Sequence, residues 1–252
     1  MKMGKLIDGF FSSISMFTVL PVPRREWNDE NIRWILIFLP VSGLIIGGIH
    51  CFCFLALGKL AFNKLIKAFI LMVMPFLFSG FLHVDGFCDT CDAWLSGKPP
   101  EDRRKILKDP NMGVFAGCAL VLLFLLSYIC SYSLPEKGIE PLLLVFIPVA
   151  SRMAAAVCVM SLKGISESGL GALFKRHSKA GDIKVMWLCI GLGAVLAYMV
   201  SGMYGLGLFG VVFGFSAAAA LGAYNSFKGF SGDLAGFAIV IGEASGLVML
   251  AA

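Results

Sequence analysis

An all-α fold, a polytopic integral membrane helical bundle, is predicted by three observations on this sequence. Its residues are 58% hydrophobic and only 15% charged, where a soluble domain carries about 25% charge. Mean hydropathy is +0.87. The apolar residues fall into runs of roughly 20, the length that crosses a hydrocarbon core as a helix, parted by polar stretches. No repeat or separate soluble region interrupts the pattern, so 1–252 reads as a single membrane domain.

Residues 4–20 are apolar but carry Asp8 and three serines, and they run into Pro21-Val22-Pro23. The segment is short for a span and has no small-residue cleavage site of the kind that ends a signal peptide. It is expected to be an interfacial or re-entrant helix stopped by the prolines. About seven spans are expected to follow, at 34–57, 65–82, 114–134, 140–161, 185–204, 205–224 and 234–252. Gly43, Gly47 and Gly48 in the first, and Gly205, Gly207, Gly210 and Gly214 in the sixth, are read as positions of close helix packing.

Polar loops are expected at 24–33, 83–113 and 163–184, with a shorter one at 225–232. Alternation of the spans puts all four on one side, with Arg24, Arg25, Arg33, Lys98, Arg103, Arg104, Lys105, Lys108, Lys163, Lys175, Arg176, Lys179 and Lys228. The other side holds mainly Lys59, Lys64, Lys67 and Lys137. Because basic loops stay inside, the first side is expected to face the cytoplasm and the chain to sit in the cell membrane. The chain carries no basic helix, zinc-finger pattern or aromatic RNA platform, so no nucleic-acid partner is expected. Six of the eight cysteines lie inside apolar runs and read as small apolar fillers. Cys88 and Cys91, with His83 upstream, make half a zinc site without a second pair to complete it.

Chemistry concentrates in one stretch, Phe81-Leu82-His83-Val84-Asp85-Gly86-Phe87-Cys88-Asp89-Thr90-Cys91-Asp92. On a helix, Asp85, Asp89 and Asp92 share one face, a turn apart. Like charges so placed repel, and a hard divalent cation such as Mg²⁺, which takes carboxylate and phosphate oxygens, relieves them. Asp109 is near enough in sequence to add a fourth carboxylate, so these four are the expected metal-binding and catalytic set. Arg152 and Glu243 lie within spans and Asp233 at the start of one, where an ionisable group is costly unless paired or lining a wet cavity. Arg152 suits a phosphate clamp, but Arg152 and Glu243 also form a plausible neutralising pair, and Asp233 a helix cap. His83 is expected to bond substrate or an aspartate.

These residues resemble the cobalamin synthase family, the adenosylcobinamide-GDP ribazoletransferases. The resemblance begins at Phe17-Thr18-Val19-Leu20-Pro21-Val22-Pro23 and is most specific at the acidic stretch, which is similar to the family's His-Leu-Asp-Gly-Leu-Ala-Asp-Thr-x-Asp. It continues at Leu107-Lys108-Asp109, Ser151-Arg152, Gly169-Leu170-Gly171 and Gly232-Asp233, with Glu243 downstream. Two departures stand out: Val19 occupies a position usually held by arginine, and Asp109-Pro110-Asn111 replaces Asp-Ser-Arg. The resemblance implies Mg²⁺-dependent transfer of a cobinamide phosphate from a GDP-activated corrinoid to α-ribazole or its 5′-phosphate, with release of GMP. His83, Asn111, Arg152, Asp233 and Glu243 would then contact or orient the substrates. Membrane lipid is an expected partner, and a homo-oligomer is left open.

Two other readings are open. A CDP-alcohol phosphotransferase also sets several aspartates at the membrane face, but its Asp-Gly-x-x-Ala-Arg is not met, because Asp89-Thr90 stand where Ala-Arg would be. A cation-coupled transporter would use Arg152 and Glu243 along a substrate path, but no inverted repeat is evident.

Overall fold

A computed structural model describes residues 3–23, 25, 31–165 and 170–252. Arg24 of the first basic loop and Gly169 of the Gly-Leu-Gly motif lie outside the described residues. The described chain is helical apart from loops, turns and one isolated backbone bridge. Helix α1 (Met3–Phe17) is 15 residues long, about 22 Å and too short to span. It packs against α2 (Ile32–Ile37) and α3 (Leu39–Lys59) through buried Ile14 and Phe17. Helix α4 (Lys64–Phe78) leads into α5 (Leu82–Leu95), and α6 (Pro100–Ile106) is a short helix with no buried residue. Helix α7 (Val114–Ser133), α8 (Leu143–Ser161), α9 (Leu170–His177), α10 (Ala180–Phe227) and α11 (Gly232–Ala251) complete the order.

At the centre stands α8, apolar and buried on all sides by α3, α10 and α11, as befits a helix without a polar face. Its Pro148 and Val145 backbones lie against Gly43 and Gly47 of α3, where a Cβ would meet main chain at less than 3 Å. The expected packing role is therefore observed at Gly43 and Gly47, whereas a Cβ at Gly48, Gly210 or Gly214 would meet nothing within 4 Å.

Among the described residues, five helices are long and apolar enough to cross a membrane, six when α4 and α5 count as one bent span. The expected count of about seven treats α10 as two spans. At 48 residues a straight α10 would reach about 72 Å, more than twice the hydrocarbon thickness. Instead it breaks at Ser201 and Gly202, where Gly202 takes φ +57°. The two arms fold back on one another: Gly193 faces Phe209, Gly205 faces Ala197, and the rings of Trp187 and Phe213 sit 6.1 Å apart. The division expected at 204/205 is thus real and falls a few residues earlier.

The loop expected at 83–113 holds more structure than expected. Helix α4 stops at Phe78, and the chain turns through 90° into α5. Gly80 and Phe81 make that corner with successive positive φ values of 63° and 58°, a conformation costly for phenylalanine. The N-terminal segment braces it, since Val19 donates its backbone N–H to the Phe78 carbonyl at 2.9 Å. One face of the bundle gathers the α4–α5 corner, α6, α9, the start of α7 and the α10–α11 turn. There Arg103 and Arg104 donate to the Ser226, Phe227 and Lys228 carbonyls and close the C-terminus of α10. The opposite face ties Lys64 to Glu136, and Lys137 donates to the Ala252 carbonyl at 2.6 Å.

Because the Gly205 position abuts the Ala197 carbonyl, Gly205→Leu is expected to wedge the α10 arms apart. It should lower stability by about 1–3 kcal/mol, read as an earlier unfolding transition of the purified protein in detergent.

Candidate active site

Helix α5 places its acidic residues by burying the other side. Val84, Phe87, Cys88 and Cys91 pack with Phe76, Ala116, Leu123 and Val240 in an apolar cluster, leaving Asp85 exposed and Asp89 half-buried. Gly86 carries no side chain and faces the backbone of Asp233, where a Cβ would lie 2.7 Å from the carbonyl oxygen. Gly236 is similarly close to the backbone of His83. Two helices distant in sequence are thereby brought main chain to main chain, and Asp233 arrives beside Asp85 and Asp89. Asp85, Asp233 and Asp92 are all near enough to Asp89 for their charges to act on it.

The four expected carboxylates do not share one environment. The Asp85 and Asp89 side chains make no hydrogen bond or ion pair among the described residues. Asp92 is buried and accepts the backbone N–H groups of Gly113 and Ala116, the latter at 2.9 Å. It thus satisfies orphan donors in the first turn of α7 and sets a negative charge at the positive end of that helix. Gly113 suits this bond, since a Cβ there would fall 2.6 Å from the Asp92 carboxylate. Asp109 is exposed and accepts from the Asn111 backbone N–H at 2.9 Å and the Asn111 side-chain amide at 2.8 Å. Those two bonds hold its carboxyl below the usual carboxylate range, which favours the charged acceptor over a proton-accepting base.

Among the described residues, no three His, Cys, Asp or Glu side chains already converge to hold a metal, and this covers His83 with Cys88 and Cys91. The donor chemistry nevertheless fits Mg²⁺, which is commonly held by one or two carboxylates plus substrate phosphates. Asp85 and Asp89 offer such oxygens free of competing partners, with Asp233 adjacent.

Beside this group lies a cavity of ≈ 130 Å³ between α1, α5, α8, α9 and α11, with Asp85, Asp233 and His83 among its walls. His83 is buried, stacks on Phe17 with centroids 6.2 Å apart, and makes no hydrogen bond among the described residues. The cap of α11 is Ser231, whose hydroxyl accepts from the Leu234 N–H at 3.4 Å. Asp233 sits inside the first turn, accepting from Ser231 at 3.3 Å, so its carboxylate is not the cap.

Deeper in the bundle, Arg152, only 1% exposed, pairs with Glu243. Arg152 also donates to the Pro148 carbonyl at 3.1 Å, and Ser151 to Glu243 at 3.2 Å. The structure therefore brings these two residues to each other, the neutralising arrangement that the sequence left open, and sets Arg152 within electrostatic reach of His83. Sequence reasoning did not single out Gly86, Ser231 or the partnership of Arg33 with buried Asp182 at the start of α10. The Ser-Gly-Asp order before an apolar run signals the Ser231 cap, but only packing identifies the other two.

The chain matches the family model described as cobalamin-5-phosphate synthase over residues 9–251. It is 32% identical over 245 residues to an adenosylcobinamide-GDP ribazoletransferase of Clostridium botulinum (strain Alaska E43 / Type E3), covering 97% of each chain. Enzymes of the same name from Clostridium perfringens (strain ATCC 13124) and Geobacillus kaustophilus are 31% and 29% identical, each over 94% of this chain and 95% and 92% of their own. No solved structure matches the chain.

Removing Glu243 leaves the buried Arg152 charge unanswered, so Glu243→Ala is expected to cost about 3–5 kcal/mol of stability. Replacing both residues by methionine should recover most of it, as measured by denaturation in detergent. Asp92→Ala frees the α7 donors and is expected to cost about 1–2 kcal/mol by the same measurement.

Proposed function

Because the chain belongs to the cobalamin-5-phosphate synthase family, we propose that it transfers the cobinamide phosphate of adenosylcobinamide-GDP to the ribose hydroxyl of α-ribazole or its 5′-phosphate. GMP leaves, and adenosylcobalamin or its 5′-phosphate forms. The observation that carries the site assignment is the Gly86 contact, which brings Asp233 within electrostatic reach of Asp85 and Asp89, beside a cavity wide enough for part of a substrate.

In this reading the hydroxyl oxygen of the acceptor forms a bond to the phosphorus nearest the corrinoid, and the bond from that phosphorus to the GMP oxygen breaks. Asp85 and Asp89 would hold Mg²⁺, which when bound neutralises charge on the diphosphate oxygens. Asp233 faces the cavity from the other helix and is placed to accept the hydroxyl proton. Asp92 contributes by fixing α7 against α5. Asp109 and Asn111 are bonded to each other in the loop between α6 and α7, and Asp109 would add a further metal ligand on releasing Asn111. Arg152 and Glu243 would hold α8 to α11 behind the reacting groups, with Arg152 lending a positive field rather than a direct phosphate contact. The excess of basic residues on the face carrying these groups supports a cytoplasmic orientation.

Asp85→Asn and Asp89→Asn are each expected to lower GMP release on the order of a hundredfold. The Mg²⁺ concentration needed for half-maximal activity should rise with it, measured on membranes supplied with both substrates. Unchanged activity in both variants would remove the metal assignment.

A further inference from the structure

Beyond its mouth, the cavity beside Asp85 and Asp233 is apolar. Its buried walls include Phe17, Leu39, Val159, Phe174 and Ile239, and among the described residues that line it His83 is the one polar side chain besides the two carboxylates. The imidazole of His83 is buried yet has no partner among the described residues. A buried polar group without a partner is expensive, and the expense is removed by a ligand that answers it. The ligand must therefore be largely apolar and carry one matching hydrogen-bonding atom.

We propose that this cavity receives the base of the acceptor nucleoside, a flat bicyclic heteroarene of the benzimidazole type. A ring N–H of His83 donates to its single ring-nitrogen acceptor. The inference rests on the transfer reading above and deepens it. A benzimidazole linked to ribose through one nitrogen has only the other nitrogen to satisfy, and the cavity offers one imidazole to meet it. Guanine carries polar atoms on several edges, more than these walls can partner. A lipid acyl chain would match the walls but leave the imidazole unanswered. With the base among Phe17, Val159 and Ile239, the attached ribose emerges at the mouth, where Asp85 and Asp233 flank the opening. The recognition of the base and the site of phosphoryl transfer are then adjacent, and the cavity walls set which bases are accepted.

The test uses the full-length enzyme in detergent, following GMP release with a benzimidazole nucleoside and with the matching indole nucleoside, which lacks the acceptor nitrogen. Wild type is expected to favour benzimidazole at least about tenfold in kcat/KM. His83→Phe should bring that preference close to unity, a change a merely structural role would not produce. Val159→Phe, which fills the cavity, should raise the KM for the benzimidazole acceptor about tenfold and leave the KM for the GDP-activated donor within about twofold. A raised donor KM with the acceptor KM unchanged, or a benzimidazole preference that survives His83→Phe, overturns the proposal. Should either variant fail to fold, photolabelling of wild type with an azidobenzimidazole nucleoside decides. Label at the cavity walls, displaced by unlabelled nucleoside but not by GDP, supports the assignment, whereas label elsewhere or displacement by GDP overturns it. Wild type that binds and labels as expected but releases no GMP with either acceptor would instead refute the transfer reading.

Discussion

Everything at the site depends on α5 and α11 touching main chain to main chain at Gly86 and Gly236. The contact leaves no room for a Cβ at Gly86, which would lie 2.7 Å from the Asp233 carbonyl oxygen. Close approach of this kind is how helices associate where no water drives them together. It also has an electrostatic consequence, because carboxylates from two helices are held near one another by backbone geometry and not by their own attraction. The apolar cluster beneath α5 and the Phe87–Phe237 ring pair at 5.8 Å hold the helices in place against that repulsion.

Several other charges of the bundle follow the opposite rule. Arg152 with Glu243, Arg33 with Asp182, and Asp92 with the first turn of α7 each have a buried member and are each answered. A low-dielectric interior makes an unpaired charge far costlier than a paired one. Against that background the unpaired carboxylates of Asp85 and Asp89 stand out. They are the charges that the fold leaves for something else to neutralise.

Much of this was legible in the sequence, and the parts that were not share a cause. Apolar runs, the break between the arms of α10 and the common face of Asp85 and Asp89 are local properties, written in periodicity and composition. The role of Asp92 was hidden because its partners, Gly113 and Ala116, lie beyond an intervening helix and loop. Pairing of Arg152 with Glu243 could be named as an alternative but not chosen, since only the packing of α8 on α11 sets the distance. The right-angled corner after Phe78 was missed because hydropathy runs through it without a pause, and the left-handed Phe81 has no signature in residue type.

The order in which the contacting helices occur along the chain bears on biosynthesis. Helix α5 is made long before α11, so at typical synthesis rates its aspartates wait on the order of ten seconds for Asp233 to emerge. During that interval the nascent bundle exposes the Gly86 furrow to the insertion machinery or to lipid. The groove that later becomes the reaction centre is thus completed only when α11, the last of these helices, arrives.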